Sequence, residues 1–277
     1  MTVTDSTIQK LSIQLDGTTQ VIPIVGSPIA QVKSPAGMTE SLQSNGCNAI
    51  VVPTHVLPEN CAEYFAMARK MPNIGGFLIT VPHKISAVEA CDEVSERSKL
   101  LGAVNCIRRR EDGSFYGDMF DGAAYVEALR QNGCALEGKK VLQVGAGGAG
   151  IAIAHALLES GVAELKLFEL DKARLDSLKS RLSQWADRIT TAEEADPTGM
   201  DVVINATPCG MRESDPIPVK VENLSADMFV GDVITKPLVT PLLETARALG
   251  CGTQTGADMF RAVQHLMTEF LLDKNAV

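Results

Sequence analysis

The segment Val141-Leu142-Gln143-Val144-Gly145-Ala146-Gly147-Gly148-Ala149-Gly150 has the residue types and spacing to bind a nucleotide. An apolar run followed by Gly145, Gly147 and Gly150 predicts a strand, a glycine turn and a helix. Gly145 permits the tight turn, Gly147 lets a pyrophosphate approach the backbone, and Gly150 allows close helix–strand packing. The N–H groups at the helix start, from Gly148 onward, would then face phosphate. The loop residues Gly145, Ala146, Gly147, Gly148 and Ala149 are therefore candidate cofactor ligands. Glu169 lies 24 residues after Gly145, at the end of the next apolar run, Leu165-Lys166-Leu167-Phe168. A carboxylate at that strand tip accepts hydrogen bonds from ribose hydroxyls and repels a 2′-phosphate. No arginine sits beside it at the tip, although Lys172 and Arg174 follow closely. This pattern favours NAD over NADP.

Composition narrows the remaining classes. The formal net charge of −9 argues against a nucleic-acid backbone as the main ligand. The run Arg108-Arg109-Arg110 reads as a strand end before the Asp112-Gly113 turn. The seven cysteines are scattered without a C-x-x-C pair, and the four histidines lack metal-ligand spacing. No metal is expected, and free thiols fit a reducing cytoplasm. No signal peptide is evident, and no apolar run approaches the roughly 18 residues of a membrane span.

Periodicity supplies the elements that would position the loop. Residues 8–25 read as a β-hairpin whose second strand, Val21-Ile22-Pro23-Ile24-Val25, enters a core. Helices are predicted to end near residue 46 and to cover 58–70, 82–91 and 95–101. Strands are predicted at 48–53, 76–81, 102–108 and 114–116. This alternation implies an α/β unit with a mostly parallel sheet. A helix over 121–132 precedes the glycine motif. Strands at 140–144, 164–170, 189–191, 201–206, 229–234 and 252–254 then alternate with helices at 149–160, 172–185 and 241–249 in doubly wound order. A broad apolar stripe marks a last helix over 257–272.

Several blocks together resemble the shikimate/quinate dehydrogenase family. They are Gly26-Ser27-Pro28-Ile29 with Lys33-Ser34-Pro35, Thr80-Val81-Pro82-His83-Lys84, Gly102-Ala103-Val104-Asn105 and Gly117-Asp118-Met119-Phe120-Asp121-Gly122. Further on come the glycine motif, Asn205-Ala206-Thr207-Pro208-Cys209-Gly210-Met211, Thr240-Pro241-Leu242-Leu243, and Gly256-Ala257-Asp258-Met259 with Gln264. They occur in family order from about residue 21 to 272. The resemblance implies a substrate domain over 1–120, completed by 257–277, and a Rossmann-like NAD domain over 121–256. The final helix would return to the first domain. It also implies a catalytic pair, Lys84 and Asp121. Oxidation of a secondary alcohol needs a group that takes the hydroxyl proton, which a lysine amine can do, and an opposed carboxylate fixes its orientation. Ser34, Thr80, Asn105 and Gln264 fall on substrate-binding positions. Asn205, Ala206, Thr207, Val233 and Gly256 fall on positions beside the nicotinamide end.

Departures from the family pattern concentrate in the substrate half. Val32 replaces the first serine of Ser-x-Ser/Thr-Pro, Leu78 replaces an asparagine, Cys106 a threonine, Thr235 a tyrosine, and Met119-Phe120 stand where Asn-Thr is usual. The expectation is a cytoplasmic, monomeric or homodimeric NAD-dependent dehydrogenase of shikimate, quinate or a related cyclic polyol acid. The alternatives are an enzyme for another polyol, such as an aminoshikimate-like compound, and a non-catalytic ligand sensor. Turnover with any polyol separates the sensor from the enzymes. His55 reads as a strand-end residue, His83 as a helix-start residue, and Cys209 as a small buried thiol.

Overall fold

The computed structural model describes residue 13 and residues 15–273, and they form two compact units. The first comprises the described residues up to Met119 together with those from Gln264 on, and the second is Phe120–Val263. In chain order the first unit contains β1 (Gln20–Gly26), α1 (Ser34–Ser44), β2 (Ala49–His55), α2 (Cys61–Arg69), β3 (Gly76–Ile79), β4 (Glu93–Val94), α3 (Glu96–Leu101), β5 (Cys106–Arg109) and β6 (Phe115–Asp118). The first strand of the expected hairpin falls largely outside the described residues. Its second strand is β1, which pairs in parallel with β2 and β3.

The six strands run β2-β1-β3-β5-β6-β4. The sheet is mixed rather than mostly parallel, because β5 is antiparallel to both β3 and β6. The cause is local. Asp112 Oδ1 accepts from Ser114 N at 2.9 Å and Gly113 has φ +85°. So short a turn joins only antiparallel strands. One sheet face buries Val25, Phe77, Ile79, Ile107 and Phe115. Phe77 meets Phe65 and Phe115 edge to face, with centroids 5.2 and 5.3 Å apart.

The helix expected over 82–91 does not form; residues 81–85 are a turn and only Ser86–Val88 make a 3₁₀ turn. Tertiary bonds take the carbonyls a helix would use. Val81 O accepts from Ser27 N at 3.1 Å, and Lys84 O accepts from Val104 N at 2.8 Å. From Val88 to Cys91 the amides bond three residues back, as Val88 N does to Ile85 O at 3.2 Å.

The second unit contains α4 (Asp121–Gln131), β7 (Lys140–Val144), α5 (Gly148–Glu159), β8 (Glu164–Phe168), α6 (Lys172–Arg181), β9 (Ile189–Thr191), β10 (Val202–Asn205), β11 (Phe229–Asp232), α7 (Pro241–Leu249) and β12 (Gly252–Gln254). Then α8 (Gly256–Leu271) closes the described chain, its second half belonging to the first unit. There Thr268 Oγ1 donates to Ser41 Oγ of α1 at 2.9 Å. The helix predicted to reach residue 185 stops at Arg181 and gives way to a 3₁₀ segment, Ser183–Arg188. The sheet order is β9-β8-β7-β10-β11-β12, with every neighbouring pair parallel. The strand order reverses between β7 and β10, so the carboxyl ends of these two parallel strands flank a crevice.

α4 and α5 cross where Gly122 lies. A Cβ built there would sit 2.0 Å from the Ala152 carbonyl oxygen. Backbone cannot yield as a flexible side chain can, so Gly122→Ala is expected to destabilise the protein by at least about 1–3 kcal/mol. Urea denaturation checks this through a lowered midpoint at unchanged slope.

Candidate active site

The glycine loop has the geometry its spacing predicts. Gly145 ends β7 with φ +103°, and a Cβ there would meet Ala206 O at 2.9 Å. A Cβ at Gly150 would lie 2.4 Å from Gly145 O, whereas Gly147 and Gly148 have nothing within 4 Å. The first and last glycines are thus required by the protein itself, and the middle pair opens onto free space at the start of α5. Ala146 is buried, and Ala149 is half-buried in the first turn of that helix. Gln143, fully buried on β7, donates from Nε2 to Gly145 O and Gly150 O, each at 2.9 Å. It staples the two ends of the loop together. Its sequence signal is a polar residue inside the otherwise apolar run Val141-Leu142-Gln143-Val144.

Glu169 follows the last residue of β8. Its Oε2 accepts from Ala146 N at 2.8 Å and its Oε1 from Asp171 N at 2.9 Å. The carboxylate is therefore held against the loop rather than waving in solvent. It lines a cleft of about 330 Å³ with Gly145, Gly147, Leu170, Arg174, Thr207 and Cys209. Arg174 Nε is 3.3 Å from Asp171 Oδ2, and Asp171 caps α6 by accepting from Ala173 N and Arg174 N. An open glycine cradle, a helix start and a fixed carboxylate in one cleft fit the phosphates and ribose of a dinucleotide.

A buried carboxylate organises the neighbouring loops. Asp232, fully buried at the end of β11, accepts from Ile234 N at 3.0 Å, Asn205 Nδ2 at 3.2 Å and Thr240 Oγ1 at 2.8 Å. Asn205 Oδ1 in turn accepts from Thr207 N and Thr207 Oγ1, shaping the loop after β10. Val233 N donates to Asn205 O at 3.2 Å, and a Cβ on Gly256 would lie 2.4 Å from Val233 O. The structure thus gathers Asn205, Ala206, Thr207, Val233 and Gly256 at adjoining strand ends.

Burial raises the Asp232 pKa from its ordinary value, against its hydrogen bonds. With the folded pKa raised, this group favours the native state most below the unfolded carboxylate pKa. The contribution declines as pH rises through the folded value. Asp232→Asn keeps an acceptor oxygen for Ile234 N and Asn205 Nδ2 and reverses the Thr240 bond, its amide donating to the hydroxyl, all without the buried charge. Its melting temperature should therefore match or exceed that of the wild type at neutral pH. Asp232→Ala strands buried donors and should lose about 1–3 kcal/mol or more. Thermal melts of both variants test the contrast.

In the first unit, candidate substrate residues gather at the carboxyl ends of β1 and β3. Thr80 N donates to Val25 O at 2.9 Å, and a Cβ on Gly26 would meet Thr80 Cγ2 at 2.4 Å. Asn105 is 1% exposed; its N–H donates to Asp118 O at 3.0 Å and its carbonyl accepts from Ile79 N at 2.8 Å. Half-buried Lys84 sits in the turn joined to Val104. Ser34 opens α1, and one turn later a Cβ on Gly37 would be 2.6 Å from Gln264 Nε2, so Gln264 packs on the same helix. Asp121 opens α4 in the second unit and is half-buried.

Arg97 grips Asp118 through two nitrogens, with Nε to Oδ1 at 2.7 Å. This half-buried pair fixes the end of β6 and has no signal in the sequence. Leu78 and Cys106 are cross-strand partners, 2% and 0% exposed. Two departures from the family pattern are therefore one apolar contact, on the sheet face that carries Thr80 two residues on.

His55 Nε2 is 3.0 Å from Ser27 Oγ, and His265 is exposed. His155 is 4% exposed and meets Trp185 edge to face at 5.3 Å. Cys209 is half-buried in the cleft lining rather than fully buried, and all seven cysteines are free. Among the described residues no cluster could hold a metal ion, and no helix is long and apolar enough to cross a membrane.

Residues 24–107 match the family model described as the shikimate dehydrogenase substrate binding domain. A relative named shikimate dehydrogenase (NADP(+)), from Rubrobacter xylanophilus, is 34% identical over 252 residues, covering 88% of this chain and 87% of its own. The chain belongs to the shikimate/quinate dehydrogenase family. Two solved structures of similar fold extend the comparison. The ligand-free 5-ketofructose reductase of Gluconobacter sp. strain CHM43 is 29% identical, with TM-score 0.84 over 92% of this chain and 93% of that one. The shikimate 5-dehydrogenase of Listeria monocytogenes, in complex with shikimate and NAD, is 26% identical, with TM-score 0.86 over 96% of each chain. Family membership makes this an oxidoreductase fold with a nicotinamide-dinucleotide site, and Gly145 and Gly147 of the glycine loop line the cleft.

Proposed function

We propose that the protein is an NAD-dependent dehydrogenase that reversibly oxidises a ring secondary alcohol of shikimate, quinate or a related cyclic polyol acid. The single observation that carries the cofactor half is Glu169, fixed between Ala146 N and Asp171 N on the wall of the dinucleotide cleft. Its charge suits ribose hydroxyls and opposes a 2′-phosphate, although the Rubrobacter relative is named for NADP(+).

NAD held at the glycine loop would supply the acceptor for the hydride of the alcohol carbon. Every other task falls to the chain. Gly145 to Ala149 bind phosphate through the backbone, and Asn205, Ala206, Thr207, Val233 and Gly256 orient the nicotinamide end. The Lys84 amine takes the hydroxyl proton as the C–H bond breaks, and returns it when the carbonyl is reduced. Asp121 orients that amine. Ser34, Thr80, Asn105 and Gln264 hydrogen-bond the substrate's remaining oxygens. Residues 1–120 with 257–277 serve as the substrate domain, and 121–256 as the cofactor domain.

The buried Leu78–Cys106 pair and the similarity to 5-ketofructose reductase support a second reading, with the same chemistry on a polyol lacking the shikimate pattern of oxygens. Reduced-nicotinamide formation from shikimate, quinate and neutral cyclic or linear polyols, each with NAD and NADP, separates the readings. Turnover confined to neutral polyols favours the second, and binding without turnover favours a sensor.

A further inference from the structure

Lys84 is carried by a turn, and a turn has no helical ladder to fix where its side chains emerge. Backbone bonds from Ser27 and Val104 hold its two ends at 3.1 and 2.8 Å. Its middle is held by a side chain. His83 is 1% exposed, and its Nε2 lies 2.7 Å from the Val56 carbonyl oxygen. A carbonyl can only accept, so Nε2 carries the proton and the imidazole donates. Val56 is itself buried just past β2, and its N–H donates to Gly26 O at 3.2 Å. The imidazole therefore ties the lysine turn to the ends of both β2 and β1. The His83 carbonyl also accepts from Ala87 N at 2.9 Å and Ser86 Oγ at 3.1 Å, anchoring the downstream side.

We infer that His83 is the positioning residue that sets the Lys84 amine for proton transfer, acting through its hydrogen bond to the Val56 carbonyl. The inference rests on Lys84 being the proton acceptor proposed above. His83 is too enclosed to exchange protons with a substrate, so it is not itself a catalytic residue. Its effect is geometric. A displacement of the acid/base by about 1 Å costs on the order of 10²-fold in rate. Loss of the donor would also leave a buried carbonyl unsatisfied, pulling the turn toward another partner.

Three substitutions test this in the full-length protein. His83→Phe keeps a ring but removes the donor. His83→Gln keeps a donor at similar reach. His83→Asn keeps an amide too short to bridge, and replaces the Phe variant in the comparison if that one does not fold. The readouts are kcat and KM with NAD and the fastest substrate of the polyol panel, NAD affinity, and amide hydrogen exchange over residues 81–87. His83→Phe should lower kcat about 10–100-fold with NAD affinity unchanged and exchange over 81–87 accelerated, while His83→Gln stays within about threefold of wild type.

The inference is overturned if His83→Phe keeps wild-type kcat. It is also overturned if the Gln variant loses as much as Phe, or if only the melting temperature falls. Lys84→Ala is assayed in parallel. If it retains turnover, the acid/base reading fails and the positioning role fails with it. If Lys84→Ala is inactive and His83→Phe is not, the positioning role alone is wrong.

Discussion

Lys84→Ala is expected to lower kcat by about 10²–10⁴-fold, the usual share of a general acid–base group, while NAD binding stays intact. The reasoning joins chemistry to placement. A secondary alcohol does not release its hydroxyl proton to water at a useful rate, so the group that accepts it has a large effect on the barrier. Lys84 is half-buried in a turn pinned by Val104 N, whereas the glycine loop lies in the other compact unit. Removing the amine should therefore spare the cofactor site. Lys84→Arg should be nearly as inactive as alanine, because a guanidinium keeps the charge but cannot take up a proton. Steady-state rates together with an NAD titration check both variants. Near-normal turnover in either would place the proton elsewhere.

The second large effect is expected at Glu169. The wild type should prefer NAD to NADP by about 10²-fold or more in kcat/KM. Like charges some 4 Å apart in a partly exposed site repel by up to about 4 kcal/mol at an effective dielectric of 20. Glu169→Ala removes the repulsion and should narrow the ratio by about tenfold or more. Arg174 lines the same cleft, so the remaining lining charge is positive. The variant also loses the bonds to Ala146 N and Asp171 N, so absolute affinity for both cofactors should fall. The ratio is thus the informative quantity. A wild type that uses NADP as well as NAD would contradict the reading of this carboxylate.

The glycine loop shows why part of the site was legible in the sequence. Gly145 and Gly150 are needed where a Cβ would strike backbone, a constraint that residue type alone can express. The central strands β7, β10 and β11 were equally readable, since buried parallel strands are largely apolar runs, whereas β8 alternates buried and half-buried residues. The lysine turn was not readable in this way. Pro82 followed by polar and apolar residues looks like a helix start, and only the distant donors Ser27 and Val104 make it a turn. Likewise β5 was expected among parallel strands, although the Asp112-Gly113 turn beside it already implied an antiparallel pair. Asp232 and Asp118 were missed for another reason. Each is a carboxylate at a strand end, where sequence alone suggests a solvated charge, and only the fold supplies the buried donors that hold it.

The most direct measurement of the central claim follows the hydrogen itself. Shikimate and quinate deuterated at their carbinol carbons are incubated with the enzyme and NAD, and the reduced nicotinamide is analysed for label. Hydride transfer within the proposed site predicts deuterium on the nicotinamide ring in stoichiometric amount, with none lost to water and Lys84→Ala forming little product. Reduced NAD free of label would contradict the account, and so would the absence of reduced NAD from both compounds and from every related cyclic polyol acid.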